Sequence, residues 1–186
     1  MTRPLVPLLV AALVVPSVLS GQKAAPAGTP GDRAGRYAVA DAHADAAPTS
    51  VEQSVPALAA YLAQAGPDNL TRARALYRWV AGHIEYDASG FRTGSYGDVS
   101  PEGVLRRRAS VCEGYARLTE ALGEAMGIEI EVVSGWSKGY GYTPGQRFDG
   151  ATNHAWNAVR IEGQWRLMDP TWGAGYLDER MQFVRR

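Results

Sequence analysis

The chain has 186 residues, with nineteen basic and nineteen acidic side chains, a length that suits one globular unit and a balance that offers no positive field to phosphate backbones or anionic lipid. At 46% hydrophobic and 20% charged residues, it has the composition of a packed domain and not of a disordered one. Cys112 is the single cysteine and the three histidines stand apart at 43, 83 and 154, which excludes an intrachain disulfide and gives no zinc-ligand spacing. No nucleic acid, metal or cofactor is therefore expected.

Arg3 precedes an apolar stretch from Leu5 to Leu19 that reaches small residues at Ser20 and Gly21. This predicts a secretory signal peptide over 1–20, because the run is shorter than the ~20 residues of a membrane span and is broken by proline. A secreted, periplasmic or cell-envelope protein follows, with no stable membrane insertion after cleavage. Ala, Gly, Pro and Asp dominate 21–50, predicting a disordered linker in which His43 has no role. The ordered domain is expected over 51–186.

Val55, Leu58, Ala59 and Leu62 fall at helical spacing before Gly66-Pro67, which ends the helix. A second helix is capped by Asp68 or Asn69 and carries Leu70, Ala73, Tyr77, Val80 and Ile84 on one face, with His83 off that stripe near its end. The Gly-, Ser- and Tyr-rich stretch 89–97 reads as a loop. Ser100-Pro101-Glu102 reads as N-cap, first-turn proline and first-turn acid of a short helix through Arg107, with Arg106, Arg107 and Arg108 as its solvated end.

Cys112 precedes Tyr115, Ala116, Thr119, Leu122 and Met126, a helical face ending at Gly127. The cysteine thus opens a helix, where unpaired backbone donors carry partial positive charge and favour a thiolate. A nucleophile at that place needs a base. Ile128, Ile130 and Val132 alternate with Glu129 and Glu131 as a strand, and a loop over 134–150 holds Trp136, Tyr140 and Tyr142, which reads equally as a cover for a site or as a flexible surface loop. His154–Val159 and Trp165–Asp169 flank Glu162-Gly163 and read as a hairpin. With a two-residue turn Ile161 faces Gln164, so His154 and Asp169 become diagonal neighbours on one face with Cβ atoms about 7 to 8 Å apart or less. A carboxylate there fixes the imidazole tautomer and leaves the other ring nitrogen for the thiol proton.

Three segments carry a resemblance: Val111-Cys112-Glu113-Gly114-Tyr115-Ala116, Asn153-His154-Ala155-Trp156-Asn157-Ala158-Val159, and Trp165-Arg166-Leu167-Met168-Asp169-Pro170-Thr171-Trp172. Together and in this order they resemble the transglutaminase-like superfamily of papain-fold cysteine enzymes, in its microbial and kyphoscoliosis-peptidase-like branch. The resemblance implies an α+β fold, a papain-like transglutaminase core whose cysteine helix packs on an antiparallel sheet bearing histidine and aspartate. It implies Cys112 as nucleophile, His154 as base and acid, and Asp169 as orienter. Members of that branch continue beyond the Asp-Pro-Thr segment, so the domain is expected to lack its C-terminal part. The expected activity is acyl transfer through a thioester, as a thiol peptidase, amidase or protein-glutamine transglutaminase, on peptide or protein substrates including cell-envelope peptides. Trp136, Tyr140, Tyr142 and Trp172 are the expected substrate-binding residues. The alternative is a non-catalytic envelope or peptide-binding module on the same fold.

Overall fold

A computed structural model describes residues 30–186; the signal-peptide expectation for 1–20 lies outside the described residues, as does the start of the linker. Helix α1 (Pro30–Asp45) replaces most of the expected linker. Ala40 and Ala44 are fully buried, and the Arg74 and Arg78 guanidinium groups each donate twice, to Asp41 at 2.6 and 2.7 Å and to Asp45 at 2.8 and 2.9 Å. A search for bulky apolar residues misses such a helix. Alanine has the highest helix propensity and lets two helices approach closely, so little bulk is needed. His43 sits in α1, stacked on Tyr61 at 4.3 Å, with Nε2 2.9 Å from the Tyr61 carbonyl.

A 3₁₀ turn (Val51–Gln53) leads into α2 (Val55–Leu62), whose Val55, Leu58, Ala59 and Leu62 are all buried. Helix α3 (Asn69–His83) is capped by Asp68, which accepts the Thr71 N–H. Trp79 is its largest core residue. The indole donates to buried Glu52 at 3.0 Å, His83 stacks on it at 4.7 Å, and the Arg108 guanidinium lies 4.9 Å from its centre while donating to Glu52 at 2.8 Å. The arginine run is therefore not simply a solvated end. Arg106 pairs with Asp98 and Arg107 with Asp87, while Arg108 turns inward to neutralise a carboxylate that burial alone would make costly.

Strand β1 (Glu85–Tyr86) pairs in parallel with β2 (Ala109–Ser110), Tyr86 opposite Ser110. Between them lie α4 (Ala88–Thr93), capped by Asp87 inside the expected loop, and α5 (Pro101–Arg107), capped by Ser100 as expected. Helix α6 (Cys112–Ala125) follows. Beside it stands an antiparallel sheet of β3 (Ile130–Gly135), β4 (His154–Ile161) and β5 (Gln164–Met168), in that order. Short helix α7 (Pro170–Ala174) and the pair β6 (Gly175–Leu177) and β7 (Phe183–Arg185) complete the described chain. The core lies between α2, α3, α6 and the inner face of β4, where Leu58, Leu76, Trp79, Leu118, Leu122 and Val159 meet. Among the described residues no helix is long and apolar enough to cross a membrane.

Candidate active site

Cys112 is the first residue of α6, directly after Val111 in extended backbone. Gly114 makes this start possible. A Cβ at that position would collide with Ser110 of β2 and Val104 of α5, so the first turn can lie tight against these two elements only with glycine there. The Tyr115 hydroxyl donates to the Ile84 carbonyl at 2.6 Å, fixing α6 against the end of α3.

The hairpin has the expected register, Ile161 opposite Gln164 and Asn157 opposite Met168. Glu162 and Gly163 both have positive φ, 53° and 76°, the backbone of a two-residue turn whose twist matches the strands. One detail differs from expectation. Asp169 is not the end of β5 but the N-cap of α7, and its Oδ1 accepts the Trp172 N–H at 3.0 Å. Its Oδ2 lies 2.7 Å from His154 Nε2. One carboxylate thus holds a helix start and an imidazole together.

Sequence reasoning missed Asn157. Fully buried, it donates from Nδ2 to the Ala116 carbonyl at 3.0 Å, pinning β4 to α6 one turn beyond Cys112. A polar residue on the same face as Val159 and Ile161 was the available signal. The Asn153 side chain exchanges two hydrogen bonds with the Ser137 backbone, at 2.7 and 3.1 Å, and ties down the segment that follows β3.

The His154 ring is buried, stacked on Trp172 at 5.2 Å and tilted against Trp156 at 5.7 Å. Burial disfavours its charged form, but the hydrogen bond with Asp169 and the nearby Cys112 side chain outweigh it, so the pKa is raised from 6.5 to about 9. With Nε2 committed to Asp169, Nδ1 is the nitrogen left for the sulfur. Cys112, His154 and Asp169 are therefore brought together.

Two clefts meet at this ring and share Tyr86, Phe91, Asn153 and His154 as walls. One, about 580 Å³, includes Cys112, Glu113, Arg117 and Glu120. The other, about 400 Å³, is lined by Tyr140, Trp172, Tyr176 and Phe183. Of the four aromatics expected to bind substrate, Tyr140 and Trp172 line a cleft, whereas Trp136 and Tyr142 line neither. The loop curls on itself through the Gly139–Tyr142 and Thr143–Gln146 backbone bonds. Tyr142 stacks on Phe148 at 5.8 Å and faces Lys138, while Trp136 points to solvent. Tyr86 was not singled out from the sequence. Its phenol pKa is pushed up by burial and by the neighbouring Cys112, so the ring enters both clefts as a neutral group. Among the described residues no group of His, Cys, Asp and Glu is placed to hold a metal ion.

The family model of the transglutaminase-like superfamily matches residues 56–170, from α2 to Pro170. The chain belongs to the transglutaminase-like superfamily. Its mixed helix-and-sheet architecture, with the Cys112 helix packed on an antiparallel sheet that carries His154, fits that superfamily. The kyphoscoliosis peptidase of Mus musculus is 39% identical over 135 residues, and that of Homo sapiens 38% identical over 133. These matches take in 73% and 72% of this chain but 20% of each relative, so the chain spans about a fifth of their length. A solved TGase structure superposes with a TM-score of 0.44 at 18% identity, covering 91% of this chain and 37% of that one.

Proposed function

We propose that the protein is a secreted cysteine-dependent acyl-transfer enzyme acting on carboxamide or peptide bonds through a thioester, with Cys112 as nucleophile, His154 as base and acid, and Asp169 as orienter. The observation that carries this reading is the His154–Asp169 contact of 2.7 Å beside a cysteine that opens a helix. Raised against burial to about 9, chiefly by the Asp169 hydrogen bond, the imidazole is a base strong enough to take the Cys112 proton as the sulfur attacks. Cys112 Sγ attacks the carbonyl carbon, and the Cys112 backbone N–H, unpaired in the first turn of α6, donates to the developing oxyanion. The C–N bond then breaks, the imidazolium gives its proton to the departing nitrogen, and the thioester remains. The neutral ring next takes a proton from water or an amine as that attacks the thioester, and the thiol is regenerated.

All three positions are filled, which supports an enzyme over a binding module. The apolar run from Leu5 to Leu19 supports export, and peptides or proteins of the cell envelope are the substrates this implies. The test is mass spectrometry of the purified protein after an amide-mimicking electrophile. One adduct is expected on the parent and none on Cys112→Ala; an adduct that persists in Cys112→Ala would refute the assignment.

A further inference from the structure

The two clefts at His154 differ in chemistry and in which reacting group they contain. In acyl transfer the carbonyl carbon bonds to sulfur, so the acyl half of the substrate stays on the sulfur side. The imidazole delivers its proton to the departing nitrogen and later takes one from the attacking group, so the amine half lies beyond the ring. The cleft of about 580 Å³ contains Cys112; the cleft of about 400 Å³ contains His154 but not Cys112. We infer that the second, aromatic cleft is the amine-side subsite, and that it takes a bulky apolar side chain such as phenylalanine or leucine on the nitrogen side of the reacting bond.

This inference rests on the acyl-transfer reading above and adds a side and a substrate class to it. Tyr140, Trp172, Tyr176, Leu177 and Phe183 form an apolar wall that an aromatic or branched side chain would cover. Tyr140 and Tyr176 are more than half exposed, at 60% and 53%, so their rings are open to a ligand. The charged residues that line this cleft are His154 and Arg186, both basic, and no acidic side chain lines it. A lysine side chain entering there would meet like charge. The acidic groups, Glu113 and Glu120, line the sulfur-side cleft.

The experiment varies the residue after the reacting bond (Phe, Leu, Gly, Lys, Asp) in otherwise identical peptides and measures kcat/KM by mass spectrometry. Phe and Leu are expected to exceed Gly and Lys by at least about tenfold, the usual discrimination of an apolar pocket. Tyr140→Ala should shrink the Phe-to-Gly ratio severalfold, and Tyr140→Phe, which keeps the ring, should preserve it. Because Tyr140 is exposed, both variants are expected to fold, and thermal melting of each checks it. Calorimetry with Cys112→Ala then compares Phe-Gly-amide, Lys-Gly-amide and Gly-Gly-amide, read without turnover. Turnover with no amine-side preference, or with a preference for Lys, overturns the subsite and leaves the acyl-transfer reading standing. Preferential binding of Phe-Gly-amide with no turnover of any carboxamide removes the acyl-transfer reading and the amine-side assignment with it.

Discussion

Asp169→Asn separates the two tasks of one carboxylate. The asparagine carbonyl can still accept the Trp172 N–H, which Asp169 Oδ1 accepts at 3.0 Å, so the start of α7 should survive. The other position becomes an amide NH₂ facing His154 Nε2, where Oδ2 stood at 2.7 Å. Two donors cannot pair, so Nε2 must lose its hydrogen and become the acceptor. The proton of the neutral ring then sits on Nδ1, facing the sulfur, and the ring can no longer take one from it. Loss of the negative charge also removes the leading contribution that raises the imidazole pKa to about 9 against burial. An orienting aspartate changed in this way costs about four orders of magnitude in kcat in the serine-protease case, and a loss of a few orders of magnitude is expected here. The stability cost should be modest, about 1–3 kcal/mol for one altered buried hydrogen bond. Asp169→Ala should cost roughly 1 kcal/mol more, because the cap is lost as well. The assays are kcat/KM on a carboxamide substrate, denaturant unfolding, and NMR titration of the His154 ring. A folded Asp169→Asn protein with the parent rate and an unmoved His154 titration would refute the reasoning.

His154→Ala should abolish turnover, whereas His83→Ala and His43→Ala should keep near-parent kcat/KM and lose about 1 kcal/mol in unfolding assays, because those rings stack and hydrogen-bond away from Cys112, His83 also lying 3.9 Å from Glu52. The folded-state pKa of His154 is raised from 6.5 to about 9, so its stabilisation is complete below pH 6.5 and is lost as pH rises through about 9. Unfolding free energy should fall over that window by on the order of 3 kcal/mol, and denaturant melts of Asp169→Asn should show a much flatter profile. Ala44→Asp would bury a charge between α1 and α3, where Ala44 is fully inaccessible; a destabilisation of more than about 3 kcal/mol is expected in thermal and denaturant melts.

What the sequence made legible was local. Asp68 as a cap, Ser100-Pro101-Glu102 as a helix start, Cys112 at the head of α6 and the turn at Glu162-Gly163 all follow from chemistry within a few residues. Helix α1 was hidden because its buried face is alanine, which a count of bulky residues overlooks. Arg108 looked like part of a solvated run because Glu52, its partner, lies 56 residues away. The cleft walls failed for the same reason. Tyr86, Phe91, Tyr140 and Phe183 meet only after the chain folds, while Trp136 and Tyr142, close in sequence to the site, turn away from it.

The position of the His154 ring is over-determined by short-range devices. The turn sets register, and a one-residue slip would send the ring to the other face of the sheet. Asn157 fixes β4 against α6 at the Ala116 carbonyl, which limits how far the strand can slide along the helix that Cys112 opens. Asp169 fixes the last freedom, ring rotation, and is itself held by its cap bond to Trp172. No one of these gives the sub-ångström placement that proton transfer needs; together they leave the ring one position. The aromatic wall has no such redundancy. Tyr140 and Tyr176 are more than half exposed and take no part in the hydrogen bonds that place the ring, so exchanging them can change which substrate fits while the reacting groups stay where the hairpin and helix put them.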